Sequence, residues 1–274
     1  MRSEQSPLRM SDLLNRKAAL VIAHPGHELR VHHWLECVKP ETFVLTDGSG
    51  RSTVSRLLST TQILQRVQAT HGSLYGRFSD RELYTALLQH NTKLFSDSVE
   101  ELATAFVERA IEYVVGDALE GYNPGHDVCR LLINAAVARA NQNGSRSIAN
   151  FCFSLVNLPS AYPERPDASA PFKTPVVSLQ LDDAALARKL AAAQAYPELA
   201  QEVNGAIQTM GLGAFQVEQL QPDSQPETML QSTEPPFYER YGEQQVALGL
   251  YQHVIRCREH LYPLAQALDQ WSAL

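Results

Sequence analysis

At 274 residues, with 44% hydrophobic and 19% charged side chains, the chain can bury a core without staples, as one large α/β domain or as a domain with an appendage. Its net charge of −7 argues against general binding to nucleic acid or an anionic membrane, which both need clustered cations. Cys37, Cys129, Cys152 and Cys257 form no CxxC pair, no apolar run approaches membrane-spanning length, and Met-Arg-Ser-Glu-Gln-Ser-Pro lacks a signal-peptide core, so a cytoplasmic chain with free thiols is expected.

Residues 1 to 16 read as a polar leader with a short helix. Lys17 to Ala23 reads as the first strand, its apolar run suiting a parallel strand buried on both faces. A helix is expected from Pro25 to Val38, stopped by Pro40. Thr42 to Thr46 is the second strand and ends in the turn-rich Asp47-Gly48-Ser49-Gly50. Val54, Leu57, Leu58, Ile63 and Val67 give Thr53 to Thr70 a helical period, with Gly72 beyond its end. Leu74 to Phe78 reads as a strand before Ser79, a helix cap. Val99 to Ile111 is helical, Tyr113 to Gly116 a strand, and Pro124 to Asn141 a long alanine-rich helix.

Beyond that point the pattern loosens. Ile148 to Val156 and Pro175 to Leu181 read as strands around a proline-rich loop from Pro159 to Phe172. Asp182-Asp183 starts a helix toward Tyr196, and Pro197 to Met210 continues as another. Residues 221 to 236 read as a long loop, and a final helix from Gly242 to Leu268 is expected to break near Pro263. The alternation predicts an α/β fold of Rossmann-like type, a mostly parallel sheet with helices on both faces. One domain is expected over 1–274, its core at about 17–181 with a helical extension at 182–274, and residues 157–274 are expected to cover the cleft or to make a homo-oligomer contact.

The chemistry concentrates at two strand-to-helix bends. Ala-Leu-Val-Ile-Ala-His-Pro-Gly-His-Glu, residues 19 to 28, runs a strand into His24 and His27, and Gly-Tyr-Asn-Pro-Gly-His-Asp, residues 121 to 127, carries His126. Such bends lie at the carboxyl ends of strands, where ligands gather in open α/β sheets. Three neutral imidazoles suit a zinc ion and leave one position open. Glu28, Asp47, Asp117, Glu120 and Asp127 lie beside them, as a general base or as partners that orient a ligand imidazole. Acids near helix starts are also favoured by the dipole alone. His32 and His33 read as surface or core residues, Arg56 and Arg77 as candidate anion binders, and Trp34 and Trp271 as core or interface.

These motifs resemble the LmbE/PIG-L-like family of zinc-dependent de-N-acetylases. The family's AHPDDE is matched by Ala23-His24-Pro25-Gly26-His27-Glu28, its TDG turn by Thr46-Asp47-Gly48, and its HPDH by Asn123-Pro124-Gly125-His126. Arg56 and Ser79-Asp80 resemble its intervening features, and Tyr238-Glu239-Arg240-Tyr241-Gly242-Glu243 looks like a shared feature of one divergent branch. The resemblance implies metal ligands at His24, His27 and His126, with an imidazole replacing the family's ligand aspartate. It implies that Arg56, Asp80 and Asp47 hold the substrate, and that Asn123 supports the oxyanion in place of a histidine. The family's presumed base falls on Gly26, which cannot take a proton, so Asp127, or else Glu28, is the expected substitute.

The implied function is a zinc hydrolase removing an N-acyl group from a small-molecule substrate, an N-acylated amino sugar or glycoside. Its alternatives are a zinc hydrolase of another amide or ester in specialised metabolism, and a degenerate metal-binding member of the family.

Overall fold

The computed structural model describes residues 10–50, 52–143, 147–155, 177–223 and 234–273. Seven strands, β1 (Ala18–Ile22), β2 (Glu41–Thr46), β3 (Thr70–Phe78), β4 (Tyr113–Asp117), β5 (Ala149–Phe153), β6 (Val177–Gln180) and β7 (Val217–Pro222), form one sheet in the order β3-β2-β1-β4-β5-β7-β6. The first five are parallel; β7 runs antiparallel to β5, and β6 antiparallel to β7. Between them lie α1 (Met10–Leu13), α2 (His32–Val38), α3 (Leu57–Val67), α4 (Asp80–Leu88), α5 (Thr92–Glu108), α6 (Pro124–Asn143), α7 (Asp183–Gln194), α8 (Ala200–Met210), α9 (Phe237–Ala247) and α10 (Tyr262–Ser272). The mostly parallel α/β sheet expected from the alternation is what forms.

All residues of β1 and β4 are buried, which is why both are apolar throughout and were legible as central strands. One face of the sheet is covered by α5, α6 and α10, through Phe106, Leu132 and Leu264. The other packs against α2, α3 and α7, through Trp34, Leu64 and Ala192. From β1 the chain proceeds outward to β2 and β3, whereas β4 and β5 lie on the opposite side of β1. The strand order therefore reverses between β1 and β4, and the crevice at their carboxyl ends is the place where such sheets bind ligands.

Several boundaries differ from the expectation. The helix expected over Pro25 to Val38 is a turn, a 3-10 segment over His27–Val31 and then α2, because Gly26 adopts φ 106° and interrupts it. The helix expected over Thr53 to Thr70 is only α3; Val54 and Leu58 point to solvent, so the apparent apolar stripe is partly surface. Gln68, with φ 61°, ends α3, and Gly72 lies inside β3. Pro263 does not break the last helix but sits in the first turn of α10, where it removes no hydrogen bond. The break lies earlier, over residues 248–256, before a π-turn at Cys257–Leu261. Asp182 caps α7 and Ser79 forms a capping box with Glu82, as their positions suggested.

β7 was missed because its inward positions are Glu218 and Leu220, so its core face reads as polar. Glu218 is a buried connector. Its Oε1 accepts Lys189 Nζ at 2.8 Å and the His33 N–H at 2.9 Å, and its Oε2 accepts the Trp34 N–H at 2.8 Å. It thereby caps α2, whose own flanking residue supplies no side-chain cap.

Trp34 is fully buried, and Trp271 packs partly against the core under the Arg139 guanidinium. All four cysteines are free, only Cys37 being exposed. No helix among the described residues is long and apolar enough to cross a membrane. The expected loop from Pro159 to Phe172, and residues 224–233 of the later one, lie outside the described residues.

Candidate metal centre

β1 delivers His24 and His27 to its carboxyl end, and α6, starting two residues before His126, delivers the third ring from beyond β4. The ring centroids stand 5.3 Å apart for His24 and His27, 5.2 Å for His24 and His126, and 4.5 Å for His27 and His126. Three side chains separated by up to 102 positions in sequence thus meet in the switch-point crevice.

Each of the first two rings is backed at Nδ1. His24 Nδ1 lies 2.7 Å from Thr46 Oγ1 and 3.1 Å from Asp80 Oδ1. The Asp80 carboxylate also accepts the Thr46 hydroxyl at 2.5 Å and the Gly50 N–H at 2.6 Å. Desolvation pushes Asp80 up, but His24, Thr46 and Gly50 together hold it well below the usual carboxylate range. His27 Nδ1 lies 2.9 Å from Asp117 Oδ2, which also accepts the Ala23 N–H at 2.8 Å. A carboxylate on one ring nitrogen fixes ring orientation and leaves Nε2 as the ligating atom, the supporting arrangement that metal-binding histidines use.

Burial lowers the pKa of His27 despite Asp117, and it lowers His126 well below the ordinary value, helped by His27 and His24. These rings are held neutral, the form that binds a metal. Among the described residues, His126 Nδ1 is buried without a hydrogen-bond partner. With zinc–nitrogen distances of about 2.0–2.1 Å and tetrahedral angles, three imidazole centroids fall about 5 Å apart. Two of the observed separations meet that value and the third is shorter. As placed, no group of three His, Cys, Asp or Glu among the described residues converges closely enough to hold a metal ion. In type, three imidazoles, His27 and His126 held neutral by burial, are the donors that a zinc ion takes.

Of the expected bases, Glu28 is held through both oxygens and Asp127 through one, its Oδ2 being buried without a partner among the described residues. Glu28 is fully buried; its Oε2 accepts the Gly26 N–H at 2.7 Å and its Oε1 the Thr60 hydroxyl at 2.8 Å. Asp127 Oδ1 accepts the N–H groups of Glu120 and Gly121 at 3.0 and 3.1 Å. Burial pushes both carboxyls up to about 7. Asn123 Oδ1 accepts the Gly125 N–H at 2.7 Å and the Tyr84 hydroxyl at 3.2 Å. Asp47 closes its own turn onto the Ser49 N–H, and Arg56 Nε donates to the Gly48 carbonyl at 2.6 Å while its charge reaches His27 and His126. Arg77 is away from this group, in an ion pair with Glu101.

Gly26 marks the sharpest difference from the AHPDDE pattern. A Cβ there would lie 2.4 Å from Leu199 Cδ1, so Leu199, at the start of α8, fills the space that a side chain would take. Sequence reasoning also missed Arg130. Fully buried on α6, it donates to the carbonyls of Asp117 and Phe151 and to Asn150 Oδ1, tying the end of β4, where Asp117 sits, to β5. Its polar character inside an alanine-rich helix was the available signal.

No family profile matches the chain, and no curated protein matches it. Among solved structures it is similar to the A40926 pseudoaglycone deacetylase Dbv21, at 17% identity and a TM-score of 0.54 over 76% of this chain and 97% of that one. It is also similar to a deacetylase–teicoplanin complex from the teicoplanin biosynthesis pathway, at 10% identity and 0.53 over 75% and 97%. A deacetylase–bog complex from the same pathway aligns at 14% and 0.50 over 76% and 100%. At these identities the likeness is one of fold.

Proposed function

We propose that this chain is a zinc-dependent hydrolase that removes an N-acyl group, acetyl foremost, from an amino sugar or a related glycoside. The observation that carries it is the meeting of three imidazoles, the buried His24 and His126 and the half-buried His27, two of them backed by carboxylates, at the switch point of the sheet. The deacetylases with which it shares its fold lend support. His24, His27 and His126 would hold the metal, which when bound polarises an amide carbonyl and acidifies water. Asp80 with Thr46, and Asp117, hold the rings in place. Asn123, its oxygen already engaged, offers its amide N–H to negative charge developing on the substrate oxygen. Arg56 adds positive charge to the same side of the site and, with Asp80 and Asp47, completes the expected substrate contacts. Acetate release over a panel of N-acetyl glycosides, with chelator and with zinc restored, tests this. Release that chelator stops and zinc restores is expected; none from any member overturns it.

Gly26 favours a second reading, a metal-binding member without the chemistry. Glu28 and Asp80 are engaged through both oxygens, and Asp117 and Asp127 each through one. Zinc bound tightly with no acetate released is the outcome that reading expects.

Two consequences follow from the geometry. Asp117→Asn should lower zinc affinity by about 10–100-fold while the protein stays folded, the usual cost of losing a residue that orients a ligand. Unchanged affinity in a competition titration would remove Asp117 from that role. Gly26→Asp, which restores the family's carboxylate, should destabilise by about 1–3 kcal/mol, because a side chain is forced to φ 106° and against Leu199. Adding Leu199→Ala should relieve the contact but not the backbone strain, so denaturant unfolding should show partial recovery only.

A further inference from the structure

α4 reaches both halves of the metal centre from a single turn. Asp80 and Tyr84 stand four positions apart on it, and so on one face. Asp80 Oδ1 meets His24 Nδ1 at 3.1 Å, and the Tyr84 hydroxyl donates to Asn123 Oδ1 at 3.2 Å. His24 follows β1, whereas Asn123 precedes α6, so one short helix joins the two bends that carry the histidines. The helix is itself fixed in place. Ser79 and Glu82 close a capping box at its start, and Leu83, Ala86 and Leu87 are buried in the core that holds Phe95 and Phe106. The Tyr84 ring packs partly against that core.

Asn123 has need of such a partner. Its Oδ1 accepts the Gly125 N–H at 2.7 Å, which decides the oxygen end of the amide, because the nitrogen could not accept. One bond leaves the amide plane free to swing about it; the second, from Tyr84, sets the plane. Gly125 has no side chain to add support. A Cβ there would stand 3.0 Å from His24 Nε2 and 3.1 Å from Asn123 Oδ1, so the amide sits close beside His24 Nε2. With both acceptor positions of Oδ1 filled, Nδ2 takes the opposite side of the amide and carries two N–H donors. A hydroxyl that donates to Oδ1 also polarises the amide and strengthens those donors. Desolvation and the Asp80 charge push the Tyr84 phenol up, so it stays protonated and donating at neutral pH.

We propose that Tyr84 is a positioning residue for amide hydrolysis, holding Asn123 so that its N–H groups meet the substrate oxygen as negative charge develops there. This rests on the reading of the centre as a deacylase. It gives α4 two duties on one face: Asp80 steadies a ligand imidazole, and Tyr84 steadies the donor that faces the substrate.

Tyr84→Phe keeps the ring and its packing and removes only the hydroxyl. It is compared with the wild type, Asn123→Ala and the double variant, each as the full chain. Acetate release from the methyl glycoside of N-acetylglucosamine is measured on zinc-loaded protein, and zinc affinity by competition titration. The Asn123 side-chain amide signals, assigned by their loss in Asn123→Ala, are followed by NMR on metal-free protein. Asn123→Ala should lower kcat by about 100-fold, the usual cost of losing a donor to the oxyanion. Tyr84→Phe should lower it by about tenfold, with KM and zinc affinity unchanged within about twofold, and should displace the Asn123 amide signals. The double variant should be no slower than Asn123→Ala, because Tyr84 acts through that residue. A wild-type kcat in Tyr84→Phe, a further loss in the double variant, or unmoved amide signals overturns the proposal. No acetate release from the wild type, with amide signals that Tyr84→Phe displaces, keeps the hold on Asn123 and sinks the deacylase reading; release that Tyr84→Phe leaves intact does the reverse.

Discussion

His126→Ala is expected to eliminate zinc uptake and with it hydrolysis, a larger loss than the roughly 10–100-fold that follows removal of a supporting residue. Of the three rings, His126 has no carboxylate behind it, and among the described residues its Nδ1 has no hydrogen-bond partner. The fold therefore gains nothing visible from this nitrogen, and the ring is held neutral in a buried place beside two others. Such an arrangement costs desolvation without compensation unless a ligand supplies it. Removing the ring relieves that desolvation but leaves a small cavity beside His24, His27 and Tyr122, so the apoprotein should stay folded with a modest loss of stability. A folded variant that still takes up zinc, or still hydrolyses its substrate, would contradict a metal role. Thermal unfolding of metal-free protein, followed by an activity assay after zinc addition, separates the two.

Glu218→Ala should cost about 3–5 kcal/mol of folding free energy, because it leaves Lys189 buried without its counter-charge. It also strips the His33 and Trp34 N–H groups of their acceptor at the start of α2. For a chain of this size the melting temperature should fall by roughly 10 °C. Glu218→Leu with Lys189→Met should recover part of the loss by removing the orphaned charge, but not the part due to the uncapped helix. A loss below about 1 kcal/mol for the single variant would show that solvent reaches Lys189 and that the pair is not buried in solution.

These two cases show what the chain makes legible. β1 and β4 could be read because burial on both faces demands an unbroken apolar run, and the three histidines because they sit where such strands end. β7 could not be read, because its buried face carries Glu218, whose partner Trp34 lies 184 positions away. Charge on an inward position looks like surface until its partners are known. Glu28 and Asp127 were expected as bases on closeness in sequence to the ligands. In the fold Glu28 accepts the Gly26 N–H and the Thr60 hydroxyl, whereas Asp127 accepts backbone N–H groups through Oδ1 alone, contacts that closeness in sequence does not announce. Leu199 over Gly26 is likewise a contact between distant segments with no local signature. The end of α3 was misplaced for another reason: Gln68 takes the left-handed position that Gly72 was expected to mark.

Zinc stoichiometry tests the central claim most directly, measured by equilibrium dialysis on the wild type, His27→Ala and His33→Ala. His33 belongs to α2 and pairs with Glu36, outside the cluster, so it serves as the control. One zinc per chain is expected in the wild type and in His33→Ala, and none in His27→Ala. A folded wild type that takes up no zinc, or a His27→Ala variant that binds as well as the wild type, would contradict the account.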